Sequence, residues 1–148
     1  MQQLNFPGYT FRLKNRENKV LIFDIVRKKF VVLTPEEWVR QHVVYYLLEQ
    51  KNYPLSHINV EKQIVLNGLK KRYDIVVFNP NGQLHLLVEC KAPEVPISQA
   101  TFDQVARYNF RLDASYLMVT NGLTHYYCEL DAQAEKYQFL KEIPDFSR

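Results

Sequence analysis

Residues 72–93 read Arg72-Tyr73-Asp74-Ile75-Val76-Val77-Phe78-Asn79-Pro80-Asn81-Gly82-Gln83-Leu84-His85-Leu86-Leu87-Val88-Glu89-Cys90-Lys91-Ala92-Pro93. Two apolar runs flank the turn residues Asn79 to Gly82, which predicts a pair of antiparallel strands. The second run ends in Glu-Cys-Lys, and Pro93 stops it. Strand side chains alternate between faces, so Glu89 and Lys91 are expected on one side and Cys90 on the other. In such a hairpin the start of one strand lies beside the end of the next. Asp74 and Glu89 are therefore expected to meet, subject to a register that the pattern leaves open. Charge at the end of a buried strand is costly unless it is paired or used.

Working outward, Asn67-Gly68 is the strongest hairpin signal in the chain and joins Ile58–Leu66 to Leu69–Phe78. With Leu84–Lys91 this predicts a three-stranded antiparallel meander. Upstream, Thr34-Pro35-Glu36-Glu37 has the makings of a helix start. Thr34 is the N-cap, Pro35 takes the first helical position, and Glu37 completes a capping box. Trp38, Val39, His42, Val43, Tyr46 and Leu47 continue at helical spacing until Gln50-Lys51-Asn52. Downstream, Ser98 caps a second helix from Gln99 to about Phe110. Tyr116–Thr120 and Thr124–Leu130 then form a hairpin about Asn121-Gly122, and Ala132–Lys141 is a short strand or helix. Near the N-terminus, Tyr9–Lys14 and Lys19–Val26 are expected to form a hairpin, with Phe30–Leu33 a short strand-like run. Residues 1–8 read as a loosely held arm.

The order of elements predicts one α/β (α+β) domain over residues 1–148, a mixed central sheet flanked by helices. A length of 148 residues with 47% hydrophobic and 24% charged content suits a single core. A net charge of +3 is too weak to announce nucleic acid by itself. The positive charge is nonetheless clustered, in Arg12, Lys14, Arg16 and Lys19, in Arg27-Lys28-Lys29, and in Lys70-Lys71-Arg72 beside Asp74. The two cysteines, Cys90 and Cys128, are too few for a disulfide scaffold and fit no zinc spacing. No apolar stretch spans a membrane and no signal peptide opens the chain, so a cytoplasmic protein is expected. His42, His57, His85 and His125 show no ligand spacing and read as structural or exposed.

Two carboxylates and a lysine at one strand end are the minimum kit for hydrolysing a phosphodiester. Mg²⁺ or Mn²⁺ takes oxygen ligands, one or two of them carboxylates, and keeps positions for water and phosphate oxygens. A nearby lysine can orient the water and offset phosphate charge.

The motif Asp74…Glu89-Cys90-Lys91 resembles that of the PD-(D/E)XK nucleases. The wider text is similar to the N-terminal nuclease domain of type I restriction enzyme R subunits, in five ordered blocks between about Phe11 and Leu130. These are Thr34–Gln41, Arg72–Val77, Val88–Pro93, Gln104–Tyr108 and Thr120–Gly122. The resemblance implies a restriction-endonuclease-like fold and metal binding by Asp74 and Glu89. It implies a water-positioning role for Lys91 and support from the Gln-x-x-x-Tyr pair Gln104 and Tyr108. It also implies a carboxylate from the first helix, where Glu37 is favoured over Glu36 because Arg40 and Gln41 follow it at i+3 and i+4. Tyr73 stands where the generic motif has proline.

The expected activity is metal-dependent endonucleolytic cleavage of DNA, with RNA as an alternative substrate. Expected partners are DNA, other restriction-system subunits or a motor protein, and a second copy of the chain, since many enzymes of this fold cut as dimers. No Gly-x-x-x-x-Gly-Lys-Ser/Thr motif is present, so either a free-standing relative without motor domains or a fragment is expected, unable to translocate DNA. The competing reading is a non-catalytic DNA-binding or protein-assembly module that keeps the fold. In that reading Glu89 and Lys91 are a surface ion pair, Glu37 only caps its helix, and Gln104 and Tyr108 are a polar helix face. Arg72 is a candidate partner for Glu89 or for phosphate, and Arg40 for Glu36 or Glu37.

Overall fold

The predicted hairpin about Asn79–Gly82 lies at the centre of the sheet in the computed structural model, which describes residues 1–66 and 68–147. Strand β4 is Ile58–Leu66, β5 Leu69–Phe78, β6 Leu84–Cys90, β7 Tyr116–Thr120, β8 His125–Asp131 and β9 Lys136–Leu140. They hydrogen-bond in chain order, each antiparallel to the next except for β6 and β7, which run parallel. A parallel step needs a crossover, and helix α2, Gln99–Asn109, supplies it. Asn67, half of the Asn-Gly signal between β4 and β5, lies outside the described residues; Gly68 has the positive φ, +78°, that such a turn requires.

Helix α1, Pro35–Glu49, starts as its sequence dictates: the Thr34 hydroxyl accepts from the Glu37 N–H at 3.0 Å, and Pro35 opens the first turn. Its Val39, Val43, Val44 and Leu47 pack on one face of the sheet, against Ile75, Val77, Leu86, Val88 and Met118. Phe102 and Ala106 of α2 cover the other face, over Val76, Leu87, Leu117, Val119 and Cys128. The central strands are therefore buried on both sides and read as continuous apolar runs. Both cysteines are free and buried. Among the described residues no helix is long and apolar enough to cross a membrane.

The N-terminal region keeps the expected hairpin and strand-like run, with shifted bounds, and departs from expectation in its arm. The hairpin strands are β1, Leu13–Arg16, and β2, Lys19–Asp24, around a two-residue turn, and β3, Lys29–Val32, adds a third strand. Glu17 and Asn18 both take positive φ, +51° and +65°, the geometry of a turn that matches strand twist. The arm is docked rather than loose. Leu4 is buried, the Asn5 N–H donates to the Gly122 carbonyl at 2.8 Å, and Phe6 lies 4.4 Å from the His125 ring. Gly122 permits this approach: it has φ +87°, and a Cβ there would stand 2.9 Å from Leu4. Long-range packing of this kind leaves no local sequence signal. The tail is resolved as strand, β9, paired with β8. Strand β6 ends at Cys90, so Lys91 stands just beyond it.

Candidate active site

The β5–β6 register pairs Val77 with Leu86, Val76 with Leu87 and Ile75 with Val88. One step further, the register sets the backbone of Asp74 beside that of Glu89, while their side chains leave toward different helices. There the ladder gives way to a side chain: the Cys90 N–H donates to Asp74 Oδ2 at 2.8 Å. Strand alternation also breaks at this point. Tyr73 packs on the α2 face and Ile75 on the α1 face, although residues two apart normally share a face. Glu61, opposite Asp74 in the β4–β5 register, takes φ +58°, uncommon for a residue with a side chain. The distortion turns Asp74 toward α1.

Arg40 of α1 meets it there. The Arg40 guanidinium donates to Asp74 Oδ1 at 2.8 Å and to Glu37 Oε1 at 2.6 Å, and lies 2.5 Å from Glu61. Arg40 is 6% exposed. Burial alone works against its charge; the hydrogen bond to Asp74 and the charges of Glu37, Asp74 and Glu61 outweigh that and hold it protonated. Glu37 is further tied to Arg27 at 2.9 Å and to Gln41 at 3.0 Å, and Gln41 reaches Asp24 at 3.1 Å. Asp24 has a lowered carboxyl pKa because hydrogen bonds from the Arg27 and Val26 backbone and the Arg27 side chain overcome its burial.

Glu89 faces the other way, toward α2. Lys71 Nζ lies 2.6 Å from Glu89 Oε1 and sits over the Tyr108 ring, 4.5 Å from its centroid. Tyr108 is thus linked to Glu89 through Lys71. Gln104, one turn earlier on α2, is exposed and makes no hydrogen bond among the described residues. Cys90, between the acids, is buried, and its thiol pKa is pushed up by burial and then by the Asp74 charge.

The structure therefore brings Asp74, Glu89 and Lys91 to one end of the β5–β6 pair. It joins Tyr108 to them indirectly and leaves Gln104 at the rim. Of the two helix acids, Glu37 is committed to Arg27, Arg40 and Gln41. Glu36 is the one that senses the site: its carboxyl pKa is raised by burial and then by the Asp74 charge, against the pull of Arg40 and Lys91. Arg72 does not reach Glu89; it lies 3.7 Å from Glu61, and Lys71 holds Glu89 instead. Glu36, ranked behind Glu37 in the sequence, and Glu61 and Lys71, given no role in the site there, are the further groups the structure adds. The i, i+4 spacing of Glu36 and Arg40 was a usable signal for the first. Lys71 was visible only as part of a basic run beside Asp74.

Asp74 and Glu89 suit a hard cation by donor type. Mg²⁺ takes one or two carboxylates and fills its shell with water and phosphate oxygens. Burial and then the Asp74 charge raise the Glu36 carboxyl pKa, and a cation beside them would relieve that repulsion. Among the described residues no three His, Cys, Asp or Glu side chains are grouped so as to hold a metal ion by themselves, so a fully protein-lined cage is not built.

No curated protein matches this sequence. The fold is similar to a fragment structure described as an HsdR subunit of a type I restriction enzyme from Vibrio vulnificus YJ016, with a TM-score of 0.50 and 20% sequence identity. The likeness covers 76% of this chain and 24% of that one, so the chain spans about a quarter of the structure it matches. Residues 35–144 match the family described as type I restriction enzyme R protein N terminus (HSDR_N), and through them the chain belongs to that family.

Proposed function

We propose that the chain is a metal-dependent DNA endonuclease of the PD-(D/E)XK type on a restriction-endonuclease-like fold, acting in a type I restriction setting. The observation that carries this reading is the register that sets Asp74 and Glu89 side by side along the backbone at one end of the β5–β6 pair, with Lys91 following directly. Asp74 and Glu89 would hold Mg²⁺ or Mn²⁺, which when bound acidifies a water and offsets charge on the scissile phosphate. Lys91, just past β6, orients that water for attack on phosphorus. Water adds, one phosphorus–oxygen bond breaks, and the departing oxygen takes a proton from bulk water. Glu36, at the mouth of the cluster, is the helix carboxylate placed to accept a proton from the water. The Cys90 N–H fixes the rotamer of Asp74, and Tyr108 braces Lys71 against Glu89. Expected partners are DNA, other restriction-system subunits or a motor protein, and a second copy of the chain, in the cytoplasm.

A second reading, a non-catalytic DNA-binding or assembly module, draws support from one observation. Arg40 and Lys71 already neutralise Asp74 and Glu89 without a metal. The two separate in a cleavage assay on linear, supercoiled and branched DNA with Mg²⁺ or Mn²⁺. The nuclease reading expects cutting that falls at least about 100-fold in Asp74→Ala and Lys91→Ala. Intact DNA under all these conditions, with binding indifferent to both substitutions, establishes the second reading instead.

A further inference from the structure

The sheet β1–β3 lies wholly before residue 35, where the family match begins. Its two faces differ. One buries Ile22 and Asp24 toward the body of the protein. On the other the register collects Arg12, Lys14 and Arg16 of the first strand segment with Lys19, Phe23 and Phe30. All four cations are exposed. Among the described residues none of them has a carboxylate within ion-pairing distance; their nearest acid in sequence is Glu17, in the turn. Two are held flat by aromatic rings: the Arg12 guanidinium lies 4.5 Å from the Phe23 centroid and Lys14 Nζ 4.1 Å from that of Phe30.

Four unpaired cations on two adjacent strands repel one another. A row of negative charges relieves that, which is charge complementarity with a polyanion rather than with a single bound anion. The aromatic rings restrict Arg12 and Lys14 in advance, so less side-chain freedom is lost on binding. The sheet is also fixed to the carboxylate end of the molecule, because Arg27, in the β2–β3 turn, bonds Glu37 in the first turn of α1. Clustered carboxylates repel a nucleic acid, and a rigidly attached basic face offsets that repulsion. The run of exposed cations along two paired strands, with the aromatic rings between them half-buried, favours a backbone contact over insertion into lipid.

We propose that this outer face of β1–β3 is a docking surface for the phosphate backbone of duplex DNA, engaged without reading sequence. The surface goes beyond the nuclease reading and does not depend on it, because its binding requires neither Asp74, Glu89 nor a metal.

The test is fluorescence anisotropy of a labelled 20-base-pair duplex with the full chain in EDTA, between 50 and 200 mM KCl. Wild-type affinity is expected to fall with salt. The Arg12→Gln/Lys14→Gln/Arg16→Gln/Lys19→Gln variant is expected to bind at least 10-fold more weakly. The slope of log affinity against log salt should shrink by about 0.9 for each lost phosphate contact, up to about 3.6. A control variant, Lys62→Gln/Arg111→Gln/Lys136→Gln/Lys141→Gln, removes the same charge elsewhere and is expected to keep the wild-type slope. If the quadruple variant fails to fold, Arg16→Gln/Lys19→Gln, which leaves the aromatic stacks intact, should lower the slope by up to about 1.8. Equal slopes in test and control variants overturn the proposal. So does binding of phosphatidylserine vesicles, sensitive to the same four residues, by a chain that does not bind the duplex.

Discussion

Replacing Arg40 with methionine removes the cation from the centre of the carboxylate cluster while keeping much of its apolar stem. Arg40 is 6% exposed and touches three acids at 2.5–2.8 Å. After substitution Glu37 keeps Arg27 and Gln41. Glu61 is 30% exposed and turns to water. Asp74 keeps only the Cys90 N–H and is left as a buried charge with no cation. Removing one partner of a buried pair costs about 3–5 kcal/mol. The partners retained by Glu37 and the exposure of Glu61 put the expected loss at the low end, about 3 kcal/mol. With a urea dependence of about 2 kcal/mol/M, the unfolding midpoint should drop by about 1.5 M. The Arg40→Met/Asp74→Asn double variant should recover a good part of this, because the uncompensated carboxylate, and not the lost pair, carries most of the cost. Millimolar Mg²⁺ or Mn²⁺ should stabilise Arg40→Met more than wild type, as a cation entering beside Asp74 would. A midpoint shift below about 0.5 M, or a double variant less stable than Arg40→Met, refutes Arg40 as the group that neutralises Asp74.

Three further outcomes follow from the geometry. Glu36→Gln should leave the melting temperature almost unchanged and reduce metal-dependent cleavage. Glu37→Gln should cost about 1–3 kcal/mol by thermal unfolding, since it takes one carboxylate partner from each of the half-buried Arg27 and the buried Arg40; equal effects of the two substitutions contradict the assignment. His42, His85 and His125 all have pKa values lowered by burial. The unfolded chain therefore takes up protons that the folded chain refuses, and stability should fall as pH drops through about 6.5, by up to about 1.4 kcal/mol per pH unit for each histidine. Equal urea midpoints at pH 8 and pH 5.5 contradict this. Gly122→Ala forces a side chain into φ +87° and against Leu4, and should cost about 1–3 kcal/mol while speeding proteolysis within the first eight residues; unchanged cleavage there argues against a docked arm.

The parts legible in the sequence were those written locally. Thr34 and Pro35 announce α1, Ser98 announces α2, and the turn Asn79–Gly82 sets Asp74 against Glu89. The parts that were not legible depend on residues distant in the chain. Nothing near Leu4 says that it fills the space left by Gly122. Nothing near Glu61 says that its backbone inverts opposite Asp74 and turns that acid toward Arg40. The preference for Glu37 over Glu36 rested on the right helical spacing, but that spacing describes a structural brace as well as it describes a reactive group. Only the side-chain partners separate the two. Lys71 and Arg72 are neighbours on one strand and point to opposite faces, so which of them meets Glu89 is a matter of register.

The parallel step from β6 to β7 has a consequence for how such a module can be varied. It sends the segment after Cys90 and the segment after Thr120 out on the same side, where Asn121 Nδ2 donates to the Val95 carbonyl at 2.8 Å. The acids are gripped from within the sheet and from α1, while this bridged rim belongs to neither. Residues 94–96, exposed between the buried Pro93 and Ile97, can thus be exchanged for others with Asp74 and Glu89 left in their places. Under the proposed nuclease reading, a library built on that rim tests selectivity without disturbing the carboxylates.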